Sequence, residues 1–178
     1  MAEDIMSKII QDAEASRAGE TLLEYRYNAS RQPSYSEVGD FAGLNLNEVI
    51  VLTGPKTCSA SELIINGLKP YIQTVVSIGE TTCGKPYGME VEDYCGHSIA
   101  AITFETLTKL GQGGYSAGIA PTCEIVDPID GEFGDVNETL YAAALTYIET
   151  GNCPASRRRS NVSPIQVPNR SIGNLVFD

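Results

Sequence analysis

Two short β-branched runs with a helical pattern between them constrain this chain more than any other feature. Val49, Ile50, Val51 and Leu52 form a continuous apolar run closed by Thr53-Gly54-Pro55, and Thr74 to Ile78 form a second one. Runs of this length bounded by turn residues read as strands covered on both faces. Between them, Leu63, Ile64, Gly67, Leu68 and Tyr71 recur at helical spacing. A strand, a helix and a strand in this order predict a βαβ unit with parallel strands, so the loops after both strands leave the sheet at the same edge. Residues on those two loops can meet.

The first loop carries Thr57-Cys58-Ser59-Ala60-Ser61-Glu62 and the second Gly79-Glu80-Thr81-Thr82-Cys83-Gly84-Lys85-Pro86. Ser59 falls at the strand-to-helix junction, where the first helical N–H groups have no intrahelical acceptor and face any anion nearby. A hydroxyl nucleophile needs those donors to stabilise the oxyanion it creates. Ser59 with Glu62 three residues on is equally a capping box, which satisfies two backbone donors and performs no chemistry. Lys85 on the second loop favours the nucleophile. A lysine serves as general base only where its surroundings bring its pKa from about 10.4 to roughly 7–8, and the alternative for Lys85 is a solvated loop residue.

These residues, with Ser77-Ile78-Gly79-Glu80 and Gly118-Ile119-Ala120-Pro121 further on, resemble the C-terminal processing (tail-specific) serine peptidases. That family's pattern is Ser-Ala-Ser-x-Ser-Glu, a helix, Gly-Glu-x-Thr-x-Gly-Lys, and later Gly-Ile-x-Pro-Asp. The resemblance covers residues 22–148. It implies Ser59 as nucleophile, Lys85 as base, the Ala60 N–H as one oxyanion donor, and an α/β fold of the crotonase-like, ClpP-like type built from β-β-α units. It further implies an endopeptidase acting on flexible polypeptides through an acyl-enzyme, without a cofactor, in a periplasmic or other extracytoplasmic setting. Cys58 stands where a small residue is usual, Thr122 where an aspartate is usual, and Pro86 and Met89 where glycine and a lysine-orienting glutamine are usual. The family's upstream Leu-Arg-x-Asn-x-Gly-Gly segment, which completes the oxyanion hole, has no counterpart before Glu48. The expectation is therefore the carboxyl-terminal portion of a catalytic domain, with a PDZ-like domain also left out and with activity dependent on the missing donor. Homo-oligomers are a further expectation.

Two rival functions stand beside the peptidase. A peptidase-like module that binds peptides or assembles without cleaving is favoured by Pro86 and Met89. An acyl-CoA enzyme of the wider crotonase fold is disfavoured, because a serine–lysine pair is foreign to that chemistry.

The rest of the chain supports one α/β domain over residues 1–154. Residues 4–17 carry Ile5, Met6, Ile9, Ile10 and Ala13 at helical spacing with Asp4 as cap, and residues 21–27 read as a strand. Residues 28–40 are polar and read as an exposed loop. Residues 89–94 and 98–107 read as a hairpin turning at Cys95-Gly96-His97, with His97 an exposed turn residue rather than a catalytic one. Gly111 to Gly114 lacks a following helix and a Gly-Lys-Ser/Thr end, so it reads as a connection bordering a peptide cleft. Residues 123–130 read as a short strand and turn, and Asp135 and Glu138 as a second capping box before a helix that ends at Gly151. Residues 155–178, with Arg157-Arg158-Arg159, read as a loosely attached tail.

A formal net charge of −11 argues against nucleic-acid or anionic-membrane partners. No run has membrane-spanning length, and no Cys-x-x-Cys or histidine cluster suggests a metal. Five cysteines allow two disulfides and one free thiol. The pairings Cys83 with Cys95 and Cys123 with Cys153 leave Cys58 over. Asn28, Asn137, Asn161 and Asn169 open Asn-x-Ser/Thr triplets.

Overall fold

The computed structural model describes residues 1–129, 131–132 and 134–154; the tail assigned to residues 155–178 lies outside them. Among the described residues two sheets and three helices make a mixed α/β fold. The order is α1 (Ala2–Ile10), β1 (Thr21–Tyr27), β2 (Ser34–Glu37), β3 (Glu48–Thr53), α2 (Ala60–Leu68), β4 (Thr74–Gly79), β5 (Tyr87–Tyr94), β6 (His97–Thr108), β7 (Cys123–Glu124) and α3 (Thr139–Thr150).

The expected βαβ unit forms. β3 and β4 pair in parallel, Glu48 opposite Thr74 through Thr53 opposite Gly79, and β4 also pairs in parallel with β7. Successive residues of β4 point to opposite faces. Val75 therefore packs on the cluster of Met6, Ile10, Leu22, Leu23, Val38, Leu68 and Ile72. Val76 and Ile78 join Cys123, Ile125, Leu140, Ala143 and Ala144. The small parallel sheet thus lies between an α1/α2 side and an α3 side, as parallel strands require. Burial on both faces, expected of β3, is found instead in β4, where Val76, Ser77, Ile78 and Gly79 are all buried. β3 is an edge strand with its Leu52 side chain exposed.

The second sheet is antiparallel, in the order β2-β1-β6-β5. Residues 28–40 are not wholly a loop: β2 lies within them and pairs with β1, and Val38 just after it is buried. Polar side chains concealed this strand because it sits at an exposed edge. The first helix is also shorter than its periodicity suggests. Gln11 is extended, at ψ 147°, and the Asp12 carboxylate accepts from the Glu14 and Ser16 N–H groups at 3.0 Å each. Those local bonds offer the backbone an alternative to the next helical turn. Met1, not Asp4, stands at the N-cap.

Cys95 (φ 50°) and Gly96 (φ 79°) make a two-residue hairpin turn with both φ positive, the type I′ arrangement. His97 opens β6 opposite Tyr94 and is exposed. At α3 the cap is Glu138 alone, whose carboxylate accepts from the Leu140 and Tyr141 N–H groups, while Gly151 closes the helix in the left-handed conformation. Among the described residues no helix is long and apolar enough to cross a membrane.

Gly79 ends β4 at φ 135°, and a Cβ there would fall 1.9 Å from the Thr53 carbonyl oxygen. The two loops of the unit leave the sheet at this close approach. Gly79→Ala is expected to cost at least about 2 kcal/mol through that collision and the strained φ. An unchanged urea midpoint would show that the backbone can move aside.

Candidate functional site

Residues 53–62 and 79–86 emerge side by side from the parallel pair. The Thr53 hydroxyl donates to the Glu80 carbonyl at 3.0 Å, and the Cys83 N–H donates to the Thr57 carbonyl at 3.0 Å. Their principal junction is the Glu62 carboxylate, on the first turn of α2 and wholly buried. Oε2 accepts from the Ser59 N–H at 2.9 Å and from the Lys85 N–H at 2.8 Å. Oε1 accepts from the Gly84 N–H at 2.7 Å and from the Thr82 hydroxyl. Thr82 Oγ1 in turn accepts from the Ile119 N–H at 2.7 Å, which brings in the segment before β7. Glu62 was legible as a capping residue, and a capping box with Ser59 is present. Its larger part, holding the lysine loop from a position twenty residues away in sequence, was not.

Burial by itself would raise the Glu62 pKa. The Thr82 hydroxyl and the Lys85, Gly84 and Ser59 amides oppose it and hold the carboxyl below its ordinary value. Gly84 fits this junction because it adopts φ 83° and because a Cβ there would stand 2.3 Å from the Ser116 carbonyl oxygen.

Ser59 has backbone angles φ 56° and ψ −114°, a region disfavoured for a residue with a Cβ. Ser59, Ala60 and Lys85 line one open groove of about 280 Å³ with Tyr25, Leu63, Tyr87, Gly88, Met89, Phe104, Thr106 and Tyr115. The expectation that the two loops bring Ser59 and Lys85 together is met to this extent. Both are half-buried, and Ala60 is exposed. Among the described residues the Lys85 amine makes no hydrogen bond or ion pair. Pro86, in the family's glycine position, is buried, and its carbonyl accepts from both the backbone N–H and the hydroxyl of Thr106 at 3.0 Å. Met89 occupies the glutamine position and presents an apolar side chain to the groove.

The groove wall opposite α2 is aromatic, and sequence reading did not assign it to the site. Tyr25 packs edge-on against Phe104 with ring centroids 5.1 Å apart. Tyr115 lies 3.5 Å from the Thr106 hydroxyl. Burial, with the Glu62 and Glu105 charges, pushes its phenol up, against the lowering effect of the Thr106 bond. The available signal was the antiparallel strand pattern, which places Tyr25 opposite Thr106 once β1 and β6 pair. That pairing joins segments about eighty residues apart and has no local signature.

The disulfides differ from expectation in one pair. Cys123–Cys153 forms as expected, but Cys83 bonds to Cys58 and Cys95 is free and exposed. The hairpin carries Cys95 to its far tip, while the parallel loops place Cys58 and Cys83 with Cα atoms 5.3 Å apart, inside the bonding range. The crosslink adjoins the candidate nucleophile and lies two residues before the candidate base. Among the described residues no cluster of histidine, cysteine, aspartate or glutamate could hold a metal ion.

No protein-family profile matches the chain, and no curated protein matches it. Solved structures do. A candidate S41 protease from Bacteroides fragilis NCTC 9343 superposes with a TM-score of 0.73 at 27% identity, over 84% of this chain and 41% of that one. The photosystem II D1 C-terminal processing protease gives 0.54 at 19% identity, over 79% and 34%. A candidate peptidase from Parabacteroides merdae ATCC 43184 gives 0.55 at 18% identity, over 85% and 48%. The resemblance to C-terminal processing peptidases is therefore present in the fold as well as in the residues. The chain has a fold similar to these S41 and C-terminal processing peptidase structures and spans less than half the length of each of them.

Replacing Glu62 by Gln removes the charge from four hydrogen bonds and should cost about 2–3 kcal/mol at pH 7. The folded pKa is depressed, so this contribution is complete above the unfolded glutamate value of about 4.3 and is lost as pH falls through the folded value. Urea titrations from pH 7 to pH 3 should show the gap between parent and Glu62→Gln closing at the acid end; a constant gap contradicts the assignment. The Cys58–Cys83 bond closes a 25-residue separation, for which chain entropy gives about 3.5 kcal/mol. A Cys58→Ala, Cys83→Ala double variant should unfold at correspondingly lower urea, and non-reducing peptide mapping should recover the Cys58–Cys83 pair from the parent.

Proposed function

We propose that the chain carries the serine–lysine dyad of an endopeptidase. The observation that supports this most is the placement of Ser59. It sits in a disfavoured backbone conformation at the start of α2, on the wall of the groove that Lys85 also lines. A capping serine has no need of positive φ, since caps ordinarily occupy the β region. A strained turn that lifts a hydroxyl above a helix N-terminus suits a nucleophile.

In this reading Ser59 Oγ attacks a peptide carbonyl while the neutral Lys85 amine takes its proton. The Ala60 N–H donates to the developing oxyanion. Lys85 then passes the proton to the leaving amine as the C–N bond breaks, and water hydrolyses the acyl-enzyme by the same route in reverse. The groove is open and walled by Tyr25, Phe104 and Met89, which suits an extended polypeptide with apolar side chains. The two layers are read as turns of a crotonase-like β-β-α superhelix. The two cystines favour an oxidising, extracytoplasmic compartment. The second reading, a peptide-binding module without cleavage, draws on Met89 and on the Lys85 amine having no partner among the described residues to orient it.

A fluorophosphonate probe should label the chain at Ser59, and labelling should vanish in Ser59→Ala and fall by at least about 100-fold in Lys85→Ala, the usual scale for loss of a general base. Equal labelling of Lys85→Ala, or absence of labelling in a longer chain that also carries the upstream glycine-rich segment, removes the dyad and leaves the binding module.

A further inference from the structure

The β5–β6 hairpin outgrows the sheet it belongs to. β1 pairs with β6 only at residues 104–108, so residues 89–102 form a two-stranded ribbon with no other strand beside it among the described residues. Such a ribbon is marginal in water unless something covers it. Register and alternation divide its side chains between two faces. Met89 opposite Ile102 and Val91 opposite Ala100 form one apolar face. Glu90, Glu92 and Tyr94 face the other way, with Ala101, Ile99 and His97. Val91 is 66% and Ile102 67% exposed.

The apolar face does not stand apart from the site. Met89 lies both on this face and on the wall of the Ser59–Lys85 groove, and Phe104, two residues along from Ile102 on the same strand face, lines that groove as well. The row Val91, Ala100, Ile102, Met89 and Phe104 is thus a continuous apolar track from the ribbon into the groove. The charge around it is one-sided. Within residues 87–103 Glu90 is paired with Arg31 at 2.8 Å, which leaves Glu92 and Asp93 against a single histidine in a chain of net charge −11, and Asp93, opposite Ser98, lies on the Val91 side just beyond the apolar row.

We propose that the projecting ribbon is an exosite for the substrate polypeptide: an extended, apolar segment with basic rather than acidic flanking residues lies along the Val91–Ala100–Ile102 face and continues into the groove. The proposal rests on the peptidase reading for what happens in the groove, but the binding it describes is measurable without cleavage. Continuity with the groove and the acidic edge select this occupant over a second copy of the chain, whose own ribbon would bring like charges together.

The test uses the chain bearing Ser59→Ala and a fluorescein-labelled peptide of alternating valine and lysine, read by fluorescence anisotropy. Adding Val91→Ser and Ile102→Ser should raise Kd about tenfold or more, the scale of two lost aliphatic contacts. Ile99→Ser, on the opposite face and 57% exposed, should leave it within about twofold. A valine–glutamate peptide should bind at least about tenfold more weakly than the valine–lysine one, the scale set by like-charge repulsion. Circular dichroism with thermal melting verifies that each variant is folded. Equal Kd for the Val91/Ile102 variant and its parent overturns the exosite, as does equal loss in Ile99→Ser or indifference to peptide charge. Sedimentation that shows a dimer dissociating in the Val91/Ile102 variant, with no change in peptide Kd, assigns the face to self-association instead. Fluorophosphonate labelling of the unmutated longer chain that carries the upstream glycine-rich segment separates the two proposals: labelling without a ribbon effect removes only the exosite, and a ribbon effect without labelling removes only the catalysis.

Discussion

One buried carboxylate holds the functional end of this molecule together. Glu62 is removed from water, and an unpaired charge there would be very costly. It is tolerated because four donors from two loops converge on it, three of them backbone amides. Amides point at a carboxylate only when their own segments are correctly placed, so the charge specifies the course of the chain on both sides of the groove. Thr82 extends the constraint to the loop before β7 by donating to Glu62 and accepting from Ile119. The strained turn at Ser59 becomes intelligible in that setting. Its N–H must face Glu62, and the backbone adopts positive φ with that bond made.

Covalent and polar constraints coincide here. The Cys58–Cys83 bond and the Cys83 N–H to Thr57 carbonyl bond join the same loops that Glu62 joins. The first limits the unfolded chain, whereas the second and the carboxylate define the folded arrangement. A site built on loops ordinarily loses precision through loop motion. These ties, with the Thr53 hydroxyl to Glu80 carbonyl bond, reduce that freedom.

The sequence showed the βαβ unit clearly, because both strands are β-branched runs and the helix between them has an unbroken apolar stripe. It showed the hairpin as well, through alternation and Cys95-Gly96. What it concealed depended on partners distant in the chain. β2 is a strand because β1 offers it a ladder, not because Ser34 and Ser36 favour extension. The first helix stops at Ile10 because Asp12 has a local use for its carboxylate, although Ala13 continues the apolar stripe. Ser59 and Lys85 were legible through spacing and loop position. Tyr25 and Phe104 were not, since only the antiparallel sheet carries them to the groove, and Tyr115 was not, since it lies on the loop after β6 and meets Thr106 only in the folded chain. The cysteine pairing went astray at Cys58 for a related reason. The expected Cys83–Cys95 bond would tie the lysine loop to the hairpin turn, whereas the hairpin is long enough to take Cys95 far from its base.

The Cys123–Cys153 bond ties β7 to the residues that follow α3 across a separation of 30 residues. Everything between them, α3 included, hangs on the sheet by both ends. Ile129 and Val136 in the connection before α3 are exposed, and exposed connections are where processing enzymes cut. A single nick there would leave two polypeptides on a reducing gel but one particle in solution, with Leu140, Ala143 and Ala144 still seated on Val76 and Ile78. The α3 layer is in this respect a clasped attachment, able to survive cleavage of its own connection so long as the cystine remains oxidised.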